Sequence, residues 1–266
     1  MRDGFPRKLV LWSGAILGGI VNAVMTAKSS SLAYAQHWSG HKYGLNGADG
    51  REGIITFEGG SDCAGRLVGV FFDVHSARKL IRPEEEEHIL ARFFAGCPLF
   101  QRSLAEQKAL PFLRLEIEGK IYTRLTAVFW DEGEYLTAAE PWRGVLSNGA
   151  DLVENETIAD LDTALLAWQD AYGMSAEQVT FIRSLFERKM ARPAATIELS
   201  DPEVKWLEST FEDPRQAYLD VARLKKEKTG KDIDLKWLDS LDAKAEFQKA
   251  MDLCREKLAA IGIIVP

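Results

Sequence analysis

From Leu9 to Ala27 the chain carries no charged residue. An uncharged, apolar stretch of that length crosses a bilayer, directs export, or is buried at the centre of a fold. Arg2, Arg7 and Lys8 precede it, and Ala33, Tyr34 and Ala35 stand just before Gln36. Basic, then apolar, then A-x-A is the order of a secretory signal, so the favoured expectation is a signal over residues 1–35, cut after Ala35. Lys28 interrupts the segment before the proposed cut, and the apolar run exceeds the usual signal core. A single membrane anchor is the second expectation, with Gly14, Gly18 and Gly19 as its close-packing face. A buried helix with Ser13, Asn22 and Thr26 on its polar side is the third.

Composition narrows the partners. With 266 residues, 46% of them hydrophobic, the chain can bury a large core. Its net charge of -7 argues against phosphate backbones and anionic lipid surfaces, which demand clustered Lys and Arg. The basic run Arg223, Lys225, Lys226, Lys228 and Lys231 is broken by Glu227, Asp232 and Asp234 and reads as a solvated helix face. Cys63, Cys97 and Cys254 are too few for a disulfide framework and lack zinc-site spacing, although Cys63 and Cys97 are the pair to test if the compartment oxidises.

The rest divides into three. Residues 36–53, with Gly40, Gly44, Gly47 and Gly50, read as a flexible glycine-rich segment. Residues 54–150 read as a sheet region. Two β-rich stretches, Ile54 to His75 and Phe112 to Thr137, resemble each other: Arg66, Leu67, Val70, Phe71 and Asp73 recur as Arg124, Leu125, Val128, Phe129 and Asp131. Pro83 and the run Glu84 to Glu87 open a helix between them. Residues 151–266 read as helical: Ser175 with Gln178 forms a capping box, and Asp201 and Asp213 each precede a proline as N-cap residues. The last helix turns Leu241, Ala245, Phe247, Met251 and Leu258 inward. The fold class is therefore α+β, an antiparallel sheet from two similar β-hairpins separated by a helix, followed by a helical carboxy-terminal half.

The one nucleophile candidate is Cys63, in Asp62, Cys63, Ala64, Gly65, with His75 as base and Asp73 or Asp131 as its orienting carboxylate. The fragment resembles the nucleophile segment of papain-like peptidoglycan peptidases, but Arg66 to Asp73 reads as a strand where that family begins a helix. A turn cysteine between two strands is the plainer expectation. Asp73 and Asp131 end the matched strands and would form an acid and base pair if the sheet brought them together. His37, His41 and His75 fit no metal-ligand spacing, and no G-x-G-x-x-G or G-K-[ST] opens a helix, so neither metal nor cofactor is expected. Trp38, Tyr43, Trp130, Trp142 and Trp168 belong to a core unless they cluster at the surface.

These readings favour a non-catalytic, exported protein-binding factor of the cell envelope, of the immunity or assembly type, periplasmic or secreted. A cysteine-dependent envelope hydrolase using Cys63 and His75 is one alternative, and a cytosolic interaction protein keeping its first helix is another. A protein partner is expected in the first and last cases, and nucleic acid in none.

Overall fold

The structure is a computed structural model that describes residues 4–59, 65–78, 81–212, 215 and 242–266. Its fold is α+β. Six strands form an antiparallel sheet in the order β1-β2-β3-β4-β7-β8: β1 Gln36–Ser39, β2 Lys42–Asn46, β3 Glu52–Phe57, β4 Leu67–Phe72, β7 Ala127–Glu132 and β8 Tyr135–Thr137. Strands β5, Arg114–Ile117, and β6, Lys120–Thr123, form a separate two-stranded hairpin. The second β-rich stretch thus splits, its first half leaving the main sheet and its second half joining β4.

The central strands are buried on both faces, which explains their nearly unbroken apolar sequences. Leu67 and Phe71 of β4, with Ala127 and Phe129 of β7, enter one core; Val68 and Val70, with Val128 and Trp130, enter a second. The second core is closed by α2, Glu86–Phe93, and by the segment from α3, Leu99–Leu104, to Leu113. The expected Pro83 helix start is observed as one 3-10 turn that leads into α2.

The first core is built on α1, Lys8–Lys28. By length and composition α1 could cross a membrane, and it is compatible with a signal sequence; 83% of its most apolar window is nevertheless inside the fold. It lies against α5 (Leu161–Tyr172), α6 (Ala176–Ala191) and α8 (Ala243–Ala260), and it touches β1 on the sheet side. Gly14 and Gly18 permit this close approach: a Cβ on Gly14 would stand 2.0 Å from the Glu156 carbonyl oxygen, and one on Gly18 would stand 2.6 Å from the Tyr43 hydroxyl. Two polar side chains of α1 donate locally, Asn22 to Leu32 O (2.8 Å) and Thr26 to Asn22 O (2.7 Å), while Asn22 Oδ1 has no partner among the described residues.

At this contact lies a buried polar pair. The Tyr43 hydroxyl donates to Glu156 Oε1 at 2.8 Å, and both residues are fully enclosed. Desolvation raises the Glu156 carboxyl to about 7 against the opposing pull of the Tyr43 bond. Glu156 Oε2 and the indole N–H of Trp168 have no partner among the described residues.

Residues 36–53 differ from the flexible segment expected of them: they contain β1 and β2, joined in register from Gln36↔Leu45 to Ser39↔Lys42. Gly40 takes φ 59 at the two-residue turn, the position that favours glycine in a type II′ hairpin. Gly44 lies beneath the His37 ring and Gly53 beneath that of Phe71, so these glycines make room for neighbouring rings.

In the helical half, the Ser175–Gln178 capping box is present. At α7, Asp201–Ser209, the cap is Ser200 boxed with Glu203, and Asp201 is the first helical residue. The serine hydroxyl and the Glu203 carboxylate together outcompete a lone aspartate. Met251 and Leu258 of α8 are buried in the first core as expected and Phe247 packs against it, whereas Ala245, in the first turn of the helix, is exposed. Asp213, Leu241 and the basic run from Arg223 to Lys231 lie outside the described residues.

Candidate functional site

Of the residues singled out for catalysis, Asp73 and His75 follow directly on β4. Cys63 lies outside the described residues. Gly65 and His75 stand beyond opposite ends of β4, and that strand alone spans about 20 Å. Asp73 serves a turn: its backbone N–H donates to Thr126 Oγ1 (2.9 Å), and its Oδ1 accepts the His75 N–H (2.8 Å). His75 is exposed.

Asp131 is not near Asp73. The antiparallel register of β4 and β7 puts Asp131 beside Leu67, whose N–H it accepts at 2.7 Å, at the other end of the strand. Lys8 donates to the same carboxylate at 3.2 Å and to Gly65 O at 2.8 Å, tying the start of α1 to the sheet. Asp131 is thus a structural anchor.

His37 is exposed on β1, and partial desolvation followed by the nearby Lys257 charge lowers its pKa. Among the described residues no three His, Cys, Asp or Glu side chains converge as metal ligands. Burial pushes the Cys97 and Cys254 thiols up to about 12 each, which makes both poor nucleophiles at neutral pH.

What remains at the surface is the β5–β6 hairpin. Its base is held firmly. Ile81 and Thr123 exchange backbone hydrogen bonds at 3.0 and 3.2 Å, Thr123 Oγ1 donates to Glu86 (2.5 Å), and Leu110 and Leu113 are sealed in the second core. Arg124, just after β6, grips Glu52 through two 2.8 Å bonds and lies over the Phe72 ring. Such a bidentate pair fixes orientation as well as position.

Beyond that base the hairpin leaves the core. Leu115 (41% exposed), Ile117 (38%) and Ile121 (52%) face solvent, with Phe112 (49%) at their foot. Leu115 stands opposite Tyr122 and Ile117 opposite Lys120, so alternation puts Leu115, Ile117 and Tyr122 on one face and Ile121 on the other. Among the described residues β5 pairs only with β6, which leaves its outer edge free. Two-stranded ribbons are marginal by themselves, and an exposed apolar one with a free edge is a template for another strand.

The turn of this hairpin is strained. Glu118 and Gly119 have φ 51 and 75, both positive as a type I′ turn requires, and Glu118 is the one non-glycine with positive φ among the described residues. Replacing Glu118→Asn should stabilise the hairpin by about 0.5–1 kcal/mol, because Asn tolerates this conformation better. Hydrogen exchange of the β5–β6 amides, slower in the variant, is the check.

The β-rich pattern of Phe112 to Thr137 does not separate the projecting part, and Glu156 and Lys189 carry no local sequence signal. Comparison with protein-family models, with curated proteins and with solved structures finds no match for this chain.

Proposed function

We propose that this chain is a non-catalytic protein-binding factor, of the immunity or assembly type, that takes an extended segment of a partner protein along the outer edge of β5. The observation that carries this reading is the anchored hairpin, with Leu115, Ile117 and Ile121 in solvent and one edge unpaired among the described residues. An added strand draws affinity from main-chain hydrogen bonds and specificity from alternate side chains. The side-chain charges on the hairpin, Arg114, Glu116, Glu118 and Lys120, are mixed in sign, so recognition rests on backbone and apolar contacts.

The reading keeps the amino-terminal helix in the working protein. Burial of α1 supports an interaction protein that retains residues 1–35 over an exported one that has lost them.

A photo-crosslinking residue in place of Ile117, introduced in the host cell, should yield one dominant protein adduct. Adding Leu115→Lys should remove that adduct without lowering the melting temperature, since Leu115 lies outside both cores. Adducts no different from those formed from exposed Leu166 of α5, or unaffected by Leu115→Lys, would refute the reading.

A further inference from the structure

A cleft of about 340 Å³ opens where α1, the β1–β2 turn, the end of α6 and the chain after α8 meet. Trp12, Trp38 and Phe57 line it, with His41 from the turn and residues 193–196 and 260–262. The Trp38 and Phe57 rings are stacked at 5.4 Å, and Trp38 is fixed by its indole N–H donating to Ala15 O (3.2 Å). The aromatic surface is therefore rigid before any ligand arrives.

Lys189 of α6 also lines this cleft and is only 4% exposed. Its ammonium has three donors, of which one is used among the described residues, to Ala195 O at 3.0 Å. No carboxylate among the described residues lies within ion-pair distance. Gly262 keeps the space beside it clear: its φ is 75, and a Cβ there would come within 2.9 Å of Nζ. Burial without a counter-charge disfavours the ammonium and lowers its pKa.

A second cleft of similar volume, between α2 and the sheet, lacks this feature. Its Arg78 is already held by both Glu140 oxygens at 2.6 Å, and its Arg92 is exposed rather than buried.

We propose that the Lys189 cleft binds a small aromatic carboxylate, its ring against Trp12 and the Trp38–Phe57 stack and its carboxylate on the free donors of Lys189. The volume suits one or two fused rings, at the lower end of ligand pockets. A carboxylate supplies the missing counter-charge, and a neutral ligand does not. Among the lining residues only His41 and Lys189 carry titratable side chains, and neither repels an anion.

The test uses the full chain and indole-3-acetate as probe, followed by quenching of tryptophan emission and by calorimetry at pH 7. Saturable binding is expected, weakened at least tenfold for the uncharged indole-3-ethanol and at least tenfold in Lys189→Met. Lys189→Arg, which keeps the charge, should retain more of the affinity than Lys189→Met. Equal affinity for the acid and the alcohol, undiminished binding in a folded Lys189→Met, or no binding at millimolar probe would each overturn the proposal. Should Lys189→Met fail to fold, the acid and alcohol comparison on the unaltered chain decides by itself.

Discussion

A chain that begins at Gln36 is expected to fail to fold. Removing residues 1–35 takes away eight large side chains that the first core encloses: Leu11, Trp12, Ile16, Leu17, Ile20, Val21, Val24 and Met25. At about 1.5–3 kcal/mol for each such side chain, the loss is about 12–24 kcal/mol, as large as or larger than the whole stability of about 5–15 kcal/mol usual for a domain. The damage extends past the helix. Glu156, Tyr43 and Trp168 would face a trough where α1 had been, and the inner surfaces of α6 and α8 would lose their common partner. Circular dichroism and a chemical denaturation curve on the truncated chain should show no cooperative transition. The single-residue counterpart is Gly14→Ala, whose methyl would collide with backbone at Glu156, an atom that cannot swing aside. We expect that change to cost about 2–4 kcal/mol, well above the roughly 1 kcal/mol typical of a point substitution.

The second large effect concerns pH. Glu156 has a folded pKa of about 7 against an ordinary value of 4.5, so the folded state holds this proton more tightly than the unfolded chain does. A raised folded pKa means that the contribution is complete below about pH 4.5 and is lost as pH climbs through 7. The difference amounts to about 3 kcal/mol at pH 8 relative to pH 4, taking about 1.4 kcal/mol for each pH unit between the two values. Glu156→Gln retains an acceptor for the Tyr43 hydroxyl and cannot ionise. It should melt close to the parent near pH 5 and above it at pH 8, with the slope between those values flattened. A variant that is less stable than the parent at pH 8 would show that Glu156 is ionised and well compensated in the fold.

Much of the architecture was legible because it depends on local pattern. Strands β3, β4 and β7 announce themselves through β-branched and aromatic runs, and the Ser175–Gln178 box marks the start of α6 from two residues alone. The β1–β2 hairpin was hidden by its glycines. Gly44 and Gly53 sit under rings supplied by neighbouring strands, and a composition that signals a loop gives no hint of those rings.

The destination of α1 is a different kind of problem. A signal core, an anchor and a core helix share one composition, and what separates them is the partner surface, built from residues more than a hundred positions away such as Glu156 and Trp168. The candidate sites follow the same logic. Asp73 and Asp131 looked paired because their strands looked alike, but an antiparallel register sends equivalent ends in opposite directions. Lys189 reads in sequence as an ordinary basic residue in the last turn of a helix, where cations are favoured. Only the cleft around it makes its isolation visible. Leu115, Ile117 and Ile121 have the alternation of a packed hairpin, and nothing in the sequence says that no layer covers them.

Native-state hydrogen exchange of the full chain, resolved by residue, tests most directly whether the apolar amino-terminal helix is the centre of this fold. The backbone amides of residues 14–26 should be among the slowest in the molecule, opening only with global unfolding and in step with those of β4 and β7. Exchange of that segment orders of magnitude ahead of the sheet, with the sheet still protected, would mean that the protein holds together without it.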